Sequence, residues 1–90
     1  LPYGLIITPG AEAQLLALPP ELAQFVRQQL QWLLQDPVAR SKPAPLLHSR
    51  GQLFEAHYDR GGASVWVSVI FRYGQDEETL HIEDIAVEFG

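Results

Sequence analysis

An α+β fold, with a two-helix hairpin packed on one face of a four-stranded antiparallel sheet, follows from three features of this sequence. The first is Val65-Trp66-Val67-Ser68-Val69-Ile70-Phe71-Arg72-Tyr73, rich in β-branched and aromatic residues and free of Pro and Gly, as a half-buried strand requires. The second is an apolar stripe at helical spacing, Leu22, Phe25, Val26, Leu30, Leu33 and Leu34. The third is order: helical patterns come early and strand patterns late, which segregates the helices from the sheet.

The long strand fixes the register. Val65, Val67, Val69 and Phe71 alternate with Trp66, Ser68, Ile70 and Arg72, so a fully apolar row faces the helices and a mixed row faces away. Burying each apolar side chain is worth roughly 1.5–3 kcal/mol, whereas a slip by one residue would expose the whole row. This is the expected central strand.

Ahead of it, Leu5-Ile6-Ile7-Thr8 reads as a first strand. Thr8 suits a helix N-cap, with Pro9 at the first helical position and Glu12 in the opening turn. Ala11, Leu15 and Leu18 recur at helical spacing, and Pro19-Pro20 ends that helix and starts the next. In the second helix Gln24, Gln28, Gln31 and Gln35 lie opposite the apolar stripe, and Trp32 falls at its edge as a lid on the core rim. Asp36-Pro37 stops the helix, and residues 37–51, with three prolines and a glycine, read as a loop anchored by Leu46 and Leu47.

Gln52 to Tyr58 reads as a strand with Phe54, Ala56 and Tyr58 inward and Leu53, Glu55 and His57 outward. Asp59-Arg60-Gly61-Gly62 is hairpin-turn chemistry. A second turn spans Gly74 to Glu78. In the last strand, Thr79 to Phe89, Leu80 and Ile82 set one parity and Ile85, Val87 and Phe89 the other, so a bulge is expected at Glu83-Asp84. The element order is β-α-α-β-β-β.

The 90 residues allow one domain with one core, spanning 1–90. A hydrophobic content of 47% with 19% charged residues excludes intrinsic disorder. No apolar run reaches the roughly 20 residues of a membrane helix, no secretory signal opens the sequence, and cysteine is absent; together these lead to the expectation of a cytoplasmic protein with no membrane association. The net charge is −5, and no Lys or Arg follows Arg72. A non-specific nucleic-acid grip needs a positive field, which only the middle segment, with Arg40, Lys42, His48 and Arg50, could supply locally.

The outward sheet face is expected to display Glu55, His57, Trp66, Ser68, Ile70, Arg72, His81 and Glu83. Read as chemistry, His57 is a general acid/base with Glu55 as its orienter, and Arg72 stabilises phosphate charge. Trp66, His81, Glu55 and the Arg40, Lys42, Arg50 cluster are candidates for RNA or partner contact. Read as structure, the set is the solvated face of a sheet with charges paired across strands. A metal centre from Glu55/His57 and His81/Glu83 is excluded, because a strand between the pairs separates them by roughly 10 Å while zinc ligands lie about 2 Å from the metal. Phosphate-loop and dinucleotide motifs are absent, and no cofactor is expected.

Most of the sequence resembles the RelE/ParE toxin superfamily of bacterial toxin–antitoxin modules, including its HigB-like branch. The resemblance rests on the opening strand into Thr8-Pro9-Gly10-Ala11, on Leu15-Leu16-Ala17-Leu18-Pro19, on Leu33-Leu34-Gln35-Asp36-Pro37, on Leu46-Leu47, and on Gly51-Gln52-Leu53-Phe54-Glu55-Ala56-His57. It implies this fold, a cognate antitoxin as partner and, for the ribonuclease branch, mRNA cleavage on the ribosome by Arg and Lys side chains. This sequence departs from that branch. His57 stands at a strand arginine position, Val65-Trp66-Val67 replaces the usual basic start of the central strand, and Ile85-Ala86-Val87-Glu88-Phe89-Gly90 lacks the basic ending. Two functions therefore stay open: a RelE/ParE-like toxin or non-catalytic relative that binds an antitoxin, and an interaction module that forms a homodimer through a sheet edge or helix face. If RNA is cleaved, His57 and Arg72 carry the work, with Arg50.

Overall fold

The computed structural model describes residues 3–44 and 51–89, with the backbone alone at Arg60. The elements in chain order are β1 (Gly4–Ile7), α1 (Pro9–Leu16), α2 (Pro20–Gln35), α3 (Pro37–Arg40), β2 (Lys42–Pro43), β3 (Gln52–Arg60), β4 (Ala63–Tyr73) and β5 (Thr79–Phe89). They build one five-stranded sheet of order β1-β5-β4-β3-β2. The long strand is central, as its pattern requires. The fifth strand is β2, two residues within the expected loop, paired antiparallel with β3. β1 is the exception to the antiparallel arrangement, running parallel to β5 from Gly4↔Thr79 to Ile7↔Ile82.

Local chemistry sets the helix ends. The Thr8 hydroxyl accepts the Ala11 N–H at 3.4 Å and donates to the Ile82 carbonyl at 2.8 Å, so one side chain caps α1 and ties it to β5. α1 ends at Leu16, two residues short of the expected Leu18. α2 runs from Pro20 to Gln35, and Asp36 turns the chain by accepting the Ala39 N–H at the start of α3. That single turn was not expected, because one turn carries no periodic signal. Glu12 and Arg27 form an ion pair at 3.6 Å between α1 and α2.

The core lies between the helices and one sheet face. Ala11, Leu15, Leu22, Val26, Leu30, Leu33 and Leu34 meet Phe54, Val65, Val67, Val69, Phe71, Leu80, Ile82 and Ile85. Val67 and Val69 are each 1% exposed, which settles the register of β4 in favour of the apolar row. Phe25 is partly buried against the core and packs on Tyr58 with ring centroids 4.7 Å apart.

The β3–β4 turn and the β5 bulge both follow the sequence. Gly61 and Gly62 have φ of 56° and 83° and join Arg60 to Ala63 across a two-residue hairpin loop, where the strand twist demands positive φ at both positions. The bulge falls where the parity flips: Ile70 pairs with Asp84 and Phe71 with Ile82, leaving Glu83 as the extra residue.

Candidate functional site: the open sheet face

The sheet face away from the helices is a grid whose rows are set by strand pairing. Trp66 on β4 stands opposite His57 on β3 and Glu88 on β5. The next rows are Glu55–Ser68–Ala86 and Leu53–Ile70–Asp84, and farther along Arg72 stands opposite His81.

His57 stacks on Trp66, with ring centroids 4.2 Å apart and planes 16° from parallel. Its Nε2 lies 3.3 Å from Asp59 Oδ1, and Asp59 also accepts the Ser64 hydroxyl at 2.9 Å. The carboxylate beside the imidazole is therefore Asp59, while Glu55 is 3.1 Å from Lys42 Nζ. Sequence reasoning placed Asp59 in the turn and missed this role. The signal was present, since Glu55, His57 and Asp59 alternate onto one face of a strand that runs on to Arg60.

Arg72 is committed elsewhere. Its Nε donates to Glu83 Oε1 at 2.6 Å, with the bulge supplying the acid. Arg72 lies six positions along β4 from Trp66, the residue opposite His57, a span on the order of 20 Å at the usual strand rise. The fold does not bring the imidazole and this guanidinium to one reacting phosphate. His81, half-buried, sits at the Arg72 end, and its Nε2 is 2.9 Å from where a Cβ on Gly74 would stand; glycine at 74 makes room for the ring.

The middle segment is divided in the same way. The Arg40 guanidinium lies 3.9 Å from the centroid of the Trp32 ring and donates to the Trp32 carbonyl, a cation–π contact that closes the end of α2. Trp32 in turn packs on Phe54 at 6.0 Å, the lid role expected of it. Arg40, Ser41, Lys42, Leu53 and Glu55 border an open depression of about 290 Å³. Leu46, Leu47, His48 and Arg50 lie outside the described residues.

Among the described residues no group of three His, Cys, Asp or Glu side chains converges on a common point. The two pairs weighed as metal ligands sit on β3 and β5 with β4 between them. No helix among the described residues is long and apolar enough to cross a membrane.

Among the described residues, two ionisable groups have clearly shifted pKa values. Burial, reinforced by the neighbouring Tyr3, raises Tyr73 above its ordinary value. The Glu78 N–H, with help from Thr79, lowers Asp76. Both belong to the β4–β5 end of the sheet and stand apart from the His57–Trp66 row.

No protein-family model matches the sequence, and no curated protein matches it. Solved structures do match in fold, among them the following two. One is the toxin–antitoxin complex RelBE2 from Mycobacterium tuberculosis, at 20% identity and a TM-score of 0.74, covering 98% of this chain and 100% of that one. The other is a mutant of the E. coli toxin RelE in the free state, at 10% identity and a TM-score of 0.68, covering 96% of this chain and 83% of that one. With TM-scores of 0.74 and 0.68 over 98% and 96% of its length, this protein has the RelE-like toxin fold.

Proposed function

We propose that this protein is a RelE-like member of a toxin–antitoxin module whose principal act is to bind a cognate antitoxin, with little or no ribosome-dependent mRNA cleavage, in the bacterial cytoplasm. The observation that carries the second half is the state of its cations. Among the described residues, Arg27 is paired with Glu12, Arg40 is bound to Trp32, Lys42 to Glu55 and Arg72 to Glu83. Phosphate binding at any of them would compete with a contact already made, on a chain of net charge −5. The fold, shared over 98% of the chain with the toxin–antitoxin complex, supports the first half.

The test is co-expression with the product of the neighbouring small reading frame. Co-purification of the two as a stable complex is the expected result. A neighbour that encodes no small protein, or one that does not bind, would remove the antitoxin reading.

One observation favours self-association as a second reading. β1 ends opposite Ile82, so the outer edge of β5 beyond it has no strand partner among the described residues. Gln14 covers part of it, accepting the Ile85 N–H at 2.7 Å and donating to Asp84. By alternation the Val87 and Phe89 N–H groups point the same way as that of Ile85, and Phe89 is 71% exposed. Such an edge can pair with another strand. Light scattering across a concentration series distinguishes a dimer from a monomer.

A further inference from the structure

We infer that the open sheet face docks an arginine-bearing extended segment of its protein partner, with Trp66 and Glu88 receiving the guanidinium. The inference rests on the antitoxin-binding reading and gives its site a chemistry.

The argument begins with the charges left over on this face. Its described carboxylates are Glu55, Asp59, Glu83, Asp84 and Glu88, of which Asp84 accepts the Gln14 side-chain amide at 2.7 Å, and its described cations are Lys42 and Arg72. Lys42 is taken by Glu55 and Arg72 by Glu83. Asp59 is held by Ser64 and His57. Glu88 is left with no hydrogen bond or ion pair among the described residues, exposed and directly opposite Trp66. Cross-strand neighbours have Cβ atoms about 5 Å apart, so the carboxylate can lie beside the indole.

Trp66 supplies the second half of the site. It is 48% exposed although it sits on the central strand of the sheet. His57 stacks on it, and the exposed remainder of the indole faces solvent. A guanidinium laid on that surface gains cation–π attraction while its N–H fork reaches Glu88. The neighbouring row places Ser68 opposite Ala86, two small side chains beside the large indole, and Ile70 follows. An extended chain crossing the face would meet a tall anchor, a low step and an apolar contact in turn. A polyanion would instead meet an unpaired carboxylate and no unpaired cation among the described residues, which disfavours an RNA backbone.

The test uses the full chain carrying Trp32→Phe, so that Trp66 alone reports by fluorescence. The probes are a short peptide alternating arginine and serine, the same peptide with citrulline for arginine, and a single-stranded oligoribonucleotide. The account expects the arginine peptide to shift Trp66 emission and to bind about tenfold tighter than the citrulline peptide, with affinity falling as salt rises. Glu88→Gln should remove most of that preference, and Glu88→Lys all of it, with unchanged circular dichroism showing that both variants are folded. Equal binding of the two peptides, insensitivity to Glu88, or tighter binding of the oligoribonucleotide would overturn the inference. The antitoxin reading is judged separately: if the neighbouring gene product binds wild type and Glu88→Lys equally, that reading stands and this one fails.

Discussion

His57 lies flat on Trp66 across the β3–β4 pairing of the open face, ring centroids 4.2 Å apart. The imidazole is held by an indole on the adjacent strand and by Asp59 on its own strand. Six positions farther along β4, Arg72 is held by Glu83. The two residues with the right chemistry for phosphodiester cleavage are each built into a separate cross-strand cluster.

The stack should contribute measurably to stability. Aromatic pairs are worth about 0.5–1.5 kcal/mol beyond their buried area, so Trp66→Ala is expected to cost about 1 kcal/mol or slightly more in urea unfolding. His57→Ala, which keeps the indole, should cost less. A neutral Trp66→Ala would show that the stack is incidental.

The Arg72–Glu83 pair should be worth little despite its short contact. Both side chains are partly exposed, at 53% and 33%, and exposed pairs measure about 0.2–1 kcal/mol. A double-mutant cycle with Arg72→Ala and Glu83→Ala should give a coupling energy in that range, weakened by added salt. A coupling of several kcal/mol would mean that the bulge depends on this pair.

Glu77 occupies the left-handed region at φ 58° in the β4–β5 turn, a conformation that costs an L-residue about 1–2 kcal/mol. Glu77→Gly removes that strain at the price of a more flexible unfolded chain, so a net gain of up to about 1 kcal/mol is expected in thermal or urea unfolding. A loss would show that the Glu77 side chain is needed in the turn.

The same turn sets a pH dependence. Asp76 accepts the Glu78 N–H at 2.9 Å and the Thr79 N–H at 3.1 Å, and its second oxygen accepts the Thr79 hydroxyl at 3.1 Å. These bonds favour the carboxylate and lower its pKa in the folded state. Its contribution is therefore present above the unfolded value of about 3.9 and is lost as pH falls through the lower folded value. Tyr73 works at the other end: its raised pKa leaves stability intact below about 10 and erodes it as pH rises toward the folded value. Asp76→Asn should flatten the acid limb of a stability–pH profile, and Tyr73→Phe the alkaline limb.

The fold was largely legible because its signals are local. The alternation from Val65 to Phe71, the parity flip at Glu83 and the paired glycines at 61 and 62 each dictate geometry within a few residues. β2 and α3 were not legible, since two strand residues and one helical turn are shorter than any period they could display. The parallel pairing of β1 with β5 depends on sheet order, which β1's own pattern does not encode. The same applies to the site. The residues of the open face could be assigned from parity, but the pairing of Lys42 with Glu55 needs β2, that of Arg72 with Glu83 needs the bulge, and the separation of His57 from Arg72 needs the register.

The central claim, a RelE-like fold whose open face binds a partner and does not cut RNA, is tested most directly by inducing the protein in a growing bacterial host and mapping mRNA ends at the ribosomal A site. Wild type, His57→Ala and Arg72→Ala are compared at equal expression. The account predicts unimpaired growth and no new A-site ends in all three strains. Growth arrest with A-site cleavage in wild type, abolished by either substitution, would contradict it and establish His57 or Arg72 as part of a ribonuclease site.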